Sequence, residues 1–292
     1  MSPDCSELHA PILDWYAEHQ RDLPWRAVDA SAWSVMVSEF MLQQTPVSRV
    51  LPVHELWLEQ WPTPAALAEV SSGEAVRAWG RLGYPRRALR LHAAAVAIVE
   101  QHGGEVPSSY EDLIALPGVG DYTAAAIAAF AHRRRHVVLD TNVRRVLARA
   151  LSGVEFPAAS VTRAERELAE SVLPLDPETA ATWSVAVMEL GALVCTAAKP
   201  RCPACPVAER CAWRVAGYPA YDGPPRKVQT WAGTDRQCRG RLLSVVRESD
   251  GPAHSSRLDA AWADETQRTR CLESLLTDGL VVRTSDQTYA LP

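Results

Sequence analysis

Four of the seven cysteines stand within seventeen residues, as Cys195-x6-Cys202-x2-Cys205-x5-Cys211. A cytosolic chain rarely spends cysteines at that density on disulfides, so the spacing points to metal binding. Tetrahedral zinc usually takes two short Cys-x-x-Cys knuckles, and only Cys202 and Cys205 have that spacing. One loop can instead wrap a cubane of iron and sulfur with four thiolates. Pro200, Pro203 and Pro206 would stiffen such a loop. The spacing favours a [4Fe-4S] cluster, with zinc as the alternative. Cys5, Cys238 and Cys271 are scattered and read as ordinary thiols.

Two carboxylates stand apart from the rest. Glu39 interrupts an apolar helical run (Val35, Met36, Val37, Phe40, Met41, Leu42), where an acid is either a surface residue or a buried group with a raised pKa. Asp140 closes a polar, basic stretch, AHRRRHVVLD. Twenty residues earlier lies Leu116-Pro117-Gly118-Val119-Gly120, which cannot continue a helix. Asp121 or Thr123 could cap the helix that follows, through Phe130. A glycine hairpin opening a helix offers backbone N–H groups to a phosphate. Two arginine groups flank it, Arg86, Arg87 and Arg90, then Arg133, Arg134, Arg135, Arg144, Arg145 and Arg149. Together they read as a phosphate-binding face. Lysine occurs only at Lys199 and Lys227, which excludes a lysine Schiff base earlier in the chain.

These groups must be positioned by helices. Apolar spacing predicts helices over 7–20, 31–45, 47–60, 64–70, 73–80, 87–101, 108–115, 141–151, 160–172 and 183–195, with Ser31 capping the second. Period-two alternation is nearly absent before residue 215, Arg135–Leu139 being the one faint case. A Pro/Gly segment around 217–225 reads as a linker. Beyond it, helices at 236–249, 255–262 and 265–277 precede strands at 280–283 and 288–291, a winged-helix-like α+β module. With 292 residues, 47% of them hydrophobic, the chain can hold a sizeable core and an appendage. The net charge of −5 argues against a bulk nucleic-acid coat protein. No run of 18 apolar residues and no basic-then-apolar leader is visible, so a cytoplasmic protein off the membrane is expected.

The hairpin LPGVGDYTAAAI, the acid in LDTNVRRVLAR and the 6-2-5 cysteine loop stand in one order that resembles the helix-hairpin-helix DNA glycosylases with an iron–sulfur cluster. LPWR, VSEFMLQQTPVSRVLP and LGYPRRALRLH look specifically like the MutY family of adenine glycosylases. The resemblance covers roughly residues 8–215. It implies an all-α glycosylase domain over 1–216, a linker over 217–231 and the small module over 232–292. It implies hydrolysis of the glycosidic bond of adenine mispaired with 8-oxoguanine or guanine, with duplex DNA as partner and a monomeric chain. Glu39 then matches the acid that protonates adenine N7, and Asp140 the anion that stabilises the sugar cation. Asn142 supports that charge, and Tyr122 replaces the lysine of strand-cleaving relatives. Arg21, Trp25 and Leu42 match positions lining the adenine pocket. Gln44, Thr45, Leu82 and Tyr84 match positions that wedge into the duplex or meet the opposite guanine. Gly118 and Gly120 would grip a phosphate, and Cys195, Cys202, Cys205 and Cys211 would hold the cluster.

The chain also departs from the family. Pro85 follows Tyr84 where a second tyrosine is usual, Val185 stands where an amide or acid would face the adenine, and Thr141 replaces a glycine. The tail is too short for the Nudix-like domain that reads 8-oxoguanine in relatives. Two other readings share the sequence: a mismatch thymine or uracil glycosylase, and a non-catalytic DNA-binding regulator with a redox-sensing cluster. Glu39 argues against the former, since pyrimidines have no N7.

Overall fold

The computed structural model describes residues 5–223 and 231–292, so residues 224–230 of the expected linker lie outside the described residues. The chain divides into two compact units, each discontinuous in sequence. The first takes the described parts of Met1–Met36, Ser108–Ile114 and Val119–Pro225; the second takes Val37–Pro107, Ala115–Gly118 and the described parts of Arg226–Pro292.

In the first unit, helix α1 (His9–His19) and the start of α2 (Ala32–Leu42) are followed after residue 107 by α7 (Tyr110–Ala115), α8 (Asp121–Phe130), α9 (Thr141–Ala150), α10 (Arg163–Ser171), α11 (Pro177–Leu193) and the short α12 (Ala212–Val215). Helix α9 is amphipathic at helical spacing: Val143, Val146, Leu147 and Ala150 are all buried. Of these, Val143, Val146 and Leu147 meet Ile12 and Tyr16 of α1 and Trp183, Val187 and Leu190 of α11 in one core. Helix α11 starts at Pro177, six residues before the expected start, because Asp176 caps it through the Thr179 N–H at 2.8 Å and proline suits the first helical position. Thr162 and Glu165 form a reciprocal capping box at the start of α10. The faint alternation at 135–139 yields no strand.

In the second unit, α3 (Val47–Gln60), α4 (Pro64–Ala68), α5 (Ser72–Trp79) and α6 (Arg86–His102) bury Val50, Trp57, Leu67, Trp79, Leu91 and Ile98. Trp57 meets Trp61 and Trp79 edge-on, with ring centroids 4.7 and 5.7 Å apart. The C-terminal module belongs to this unit. It contains α13 (Asp235–Arg247), α14 (Ser255–Ala261) and α15 (Glu265–Thr277) with strands β1 (Ala253–His254), β2 (Val282–Ser285) and β3 (Thr288–Ala290). The sheet is antiparallel in the order β1-β3-β2, so the expected two-stranded ribbon gains a third strand, too short to register as alternation. Among the described residues no helix is long and apolar enough to cross a membrane.

Candidate active site and cysteine cavity

Asp140 is where helix α9 begins. Its Oδ1 accepts the backbone N–H groups of Asn142 at 2.9 Å and Val143 at 2.6 Å, while Oδ2 accepts Asn142 Nδ2 at 2.7 Å. This is an N-cap whose second oxygen is held by a neighbouring amide. Burial pushes the carboxyl up from the ordinary 3.8, and the three N–H donors pull it back. Asn142 Oδ1 in turn accepts Arg145 at 2.8 Å. Arg145 also donates to the carbonyls of Gly191 and Cys195, each at 2.7 Å. A chain of hydrogen bonds therefore runs from the acid to the first cysteine of the loop. Helices α9 and α11 approach closely at Gly191, where a Cβ would lie 2.7 Å from Asn142 Cβ.

The hairpin before α8 is capped differently from expectation. Neither Asp121 nor Thr123 caps the helix; Gly120 occupies the N-cap with no side-chain bond, and Asp121 is the first helical residue. Gly118 has φ +79°, and a Cβ there would lie 2.6 Å from Arg90 Cβ, so both the turn and the packing demand glycine. Tyr122 lies part-buried in the first turn of α8, against a small cluster that includes Ala125, Ala126 and Val138.

Cys195, Cys202, Cys205 and Cys211 all line one small cavity, with Val194, Pro200 and Trp213 among its walls. Among the described residues no group of three or more His, Cys, Asp or Glu side chains is placed to hold a single metal ion. Arg149 closes one wall. It is 1% exposed. It donates to Cys195 Sγ at 3.4 Å and to the carbonyls of Glu155, Thr196 and Ala197 at 2.9, 2.8 and 3.1 Å, and it lies 4.7 Å over the Trp213 ring. A pocket lined by four thiols and by Arg149 and Arg214 suits an anionic thiolate-bound cluster, because a charge-assisted hydrogen bond to sulfur, such as that from Arg149, offsets its charge.

In the second unit, Glu39 lies on α2 and is 6% exposed. One turn later the helix ends. Two loops, at 43–45 and 82–84, are stitched together by Arg87, which is 5% exposed. Its guanidinium donates to Phe40 O, Met41 O and Gln43 O at 2.8, 2.9 and 2.7 Å, and to Thr45 Oγ1 and Gly83 O, both at 2.9 Å. A cation thus satisfies the last carbonyls of α2, where the helix dipole favours it. Burial still draws its pKa down to about 10. Each loop carries a non-glycine residue in the left-handed region, Gln44 at φ 56° and Tyr84 at φ 47°. Gln44 and Tyr84 are exposed, Leu42 is part-buried, and Thr45 and Leu82 face the interior. Replacing Arg87 with Met is expected to cost about 3 kcal/mol, since it orphans several buried acceptors. Urea unfolding checks this, and a loss below about 1 kcal/mol would deny Arg87 that role.

The arginine groups are therefore not chiefly a phosphate-binding face. Arg87, Arg145 and Arg149 are buried, Arg144 grips Glu165 at 2.8 and 3.0 Å, and Arg133 pairs with Glu178 at 2.8 Å. Of the nine, Arg90 and Arg134 point to solvent-exposed surface.

Residues 37–171 match the family of HhH-GPD superfamily base excision DNA repair proteins. An adenine DNA glycosylase of Mycobacterium tuberculosis (strain CDC 1551 / Oshkosh) is 55% identical over 285 residues, covering 96% of this chain and 92% of its own. The chain belongs to the adenine DNA glycosylase family. A second adenine DNA glycosylase, of Mycolicibacterium smegmatis (strain ATCC 700084 / mc(2)155), is 52% identical, covering 96% and 94%. The solved structure of a thermostable thymine-DNA glycosylase superposes with a TM-score of 0.64 at 23% identity, covering 73% of this chain and 97% of its own. That likeness bears on the fold alone.

Within this adenine DNA glycosylase family member, Arg21 and Trp25 share the first unit with Asp140. Trp25 is 7% exposed. Arg21 forks onto Glu189, its Nε and NH2 each 2.7 Å from a carboxylate oxygen, and its backbone N–H adds a third bond at 3.1 Å. Arg26 reaches the same acid at 2.9 Å. Sequence reasoning passed over Glu189. The available signal was a lone acid in SVAVMELGALVC, the run of a buried helix, which requires cationic partners elsewhere. Burial alone would push its carboxyl up, but the hydrogen bonds from Arg21 and Arg26 prevail and hold it at about 2. The folded value lies below the ordinary 4.5, so this stabilisation is present above pH 4.5 and is lost as the pH falls toward 2. Stability measured by urea unfolding is expected to fall through that window, and Glu189→Gln to flatten this part of the profile. An unchanged acid limb in the variant would contradict the assignment.

Proposed function

We propose that this chain hydrolyses the N-glycosidic bond of adenine mispaired with 8-oxoguanine or guanine in duplex DNA, acting as a monomer without cleaving the strand. The carrying observation is Asp140, a part-buried carboxylate fixed by three N–H donors at the start of α9. Excision of a purine builds positive charge on the deoxyribose as the bond to the base breaks. Asp140 stabilises that charge. Its burial makes the anion costly before the reaction and strengthens its attraction once the cation forms, so the gain falls in the transition state. Glu39 donates a proton to adenine N7, which turns the base into a better leaving group. Asn142 keeps the Asp140 oxygen oriented. Water completes the hydrolysis. Tyr122 offers no amine, and no lysine before Lys199 is there to form a Schiff base with the sugar.

The base leaves the helix to be reached. The N–H groups of Gly118 and Gly120 grip a backbone phosphate, at the start of α8 where the helix dipole favours an anion. Arg21, Trp25 and Leu42 serve the excised base. Gln44, Thr45, Leu82 and Tyr84 serve the opposite strand, with Gln44 and Tyr84 as the exposed pair. Cys195, Cys202, Cys205 and Cys211 hold a [4Fe-4S] cluster, whose thiolate bonds staple the loop that Arg145 ties to Asp140. A brown protein containing iron and absorbing near about 400 nm is expected, and a colourless, iron-free chain would end this part of the proposal.

The deciding experiment incubates the chain with A·8-oxoG, A·G, T·G and U·G duplexes, with and without alkali. Alkali-dependent breaks at adenine only are expected. Breaks at thymine or uracil would favour a pyrimidine glycosylase, and breaks without alkali would contradict the lysine argument.

A further inference from the structure

The C-terminal module is fastened to α5 and α6, the helices on either side of the Tyr84 loop. Arg77 donates to the carbonyls of Arg247 and Ser249, and Arg247 donates back to Gly80 O. Arg86 pairs with Asp278 at 3.4 Å, and Arg239 takes the other oxygen of that acid at 2.6 Å. At Gly73 the fit is close enough that a Cβ would lie 2.2 Å from Pro292 O. This docking brings Arg236, in the first turn of α13, over the Tyr84 ring at 4.5 Å from its centroid. The same guanidinium lies 5.4 Å from the Trp231 ring.

None of the three side chains is buried: Tyr84 is 38% exposed, Trp231 is 54% exposed, and Arg236 is also exposed. Core packing does not account for them. Two exposed rings around one guanidinium make a surface that stacks a nucleobase and pairs with a phosphate. Tyr84 is held from below by the buried Arg87, 5.5 Å from its ring, so the patch is preorganised. It continues the loops that carry Gln44 and Tyr84.

We propose that Trp231, Arg236 and Tyr84 form one DNA-contacting patch, through which the C-terminal module grips the strand opposite the excised adenine. An unpaired base stacks on the Trp231 ring, and Arg236, backed by Tyr84, meets its phosphate. This rests on the reading that the chain acts on adenine in duplex DNA.

The test measures the dissociation constant for a duplex carrying a non-cleavable adenine analogue opposite 8-oxoguanine or guanine, across a series of salt concentrations. Arg236→Ala is expected to weaken binding about tenfold and to lower the salt slope by about 1. Trp231→Ala is expected to weaken it about fivefold. Arg236→Lys is expected to restore the slope and only part of the affinity, because lysine lacks the planar stack. Arg241→Ala removes an exposed charge from the same helix and is expected to change affinity less than about twofold. Wild-type affinity in both Arg236→Ala and Trp231→Ala would overturn the patch, as would an equal loss in Arg241→Ala. A wild-type chain that excises no adenine would overturn the functional reading, and this inference with it.

Discussion

Asp140→Asn is expected to abolish adenine excision while leaving the fold in place. Single-turnover rates should drop by about 10²–10³-fold or more, the usual consequence of removing one preorganised electrostatic stabiliser. Asparagine is as good an N-cap as aspartate, so its Oδ1 still accepts the N–H groups of Asn142 and Val143. One contact turns unfavourable. Asn142 Nδ2 now faces an amide instead of the carboxylate, and Asn142 cannot simply flip, because Arg145 holds its Oδ1 at 2.8 Å. Against that cost stands the removal of a buried charge. The folded carboxyl titrates above the ordinary 3.8, so its ionised form costs stability that grows as the pH rises through that value. Relative to wild type, Asp140→Asn should therefore gain stability as the pH rises above 3.8. Asp140→Ala loses the cap as well, at about 1 kcal/mol. Excision rates and urea unfolding of the two variants separate the roles. Excision by Asp140→Asn within tenfold of wild type would remove the aspartate from the chemistry.

Glu39→Gln is expected to bind the mispaired duplex within a few-fold of wild type and to excise adenine about 10²–10⁴-fold more slowly. Glutamine matches glutamate in shape, so a side chain only 6% exposed is replaced without a cavity or a clash. What is lost is the transferable proton. A purine with N7 unprotonated leaves as an anion, and that is the step the acid relieves. Gel-shift affinity and single-turnover excision, measured on the same duplex, give the two readouts. Tight binding with wild-type excision would show that Glu39 serves the helix and not the reaction.

Both predictions use residues visible in the sequence, and the reason is local chemistry. Asp140 precedes an amphipathic run, so its place as a helix cap follows from neighbours two and three residues away. The four cysteines announce themselves by spacing, since one loop must bring them round one group. Gly118 was legible as a turn; its close approach to Arg90 was not, because Arg90 lies on another helix. Helix α11 began earlier than apolar periodicity indicated, because its first turn is written in a cap and a proline.

The arginines were the least legible. Arg87, Arg149 and Arg90 look alike as letters, yet the first locks two loops, the second walls the cysteine cavity and the third is exposed. Glu189 showed in the sequence only as an acid in need of cations, since its partners Arg21 and Arg26 lie more than 160 residues away. The direction of the aspartate's pKa is set in the same way, because burial outweighs the donors around it.

By itself the sequence determined the helical architecture, the cap at Asp140, the cysteine loop and the lack of an early lysine, all of which depend on residue type and short-range spacing. The tertiary structure decided which charges are buried, which carbonyls they satisfy and that the C-terminal module brings Arg236 onto Tyr84. Desolvation and long-range hydrogen bonding depend on what the fold places around a side chain, and chain order carries no record of that.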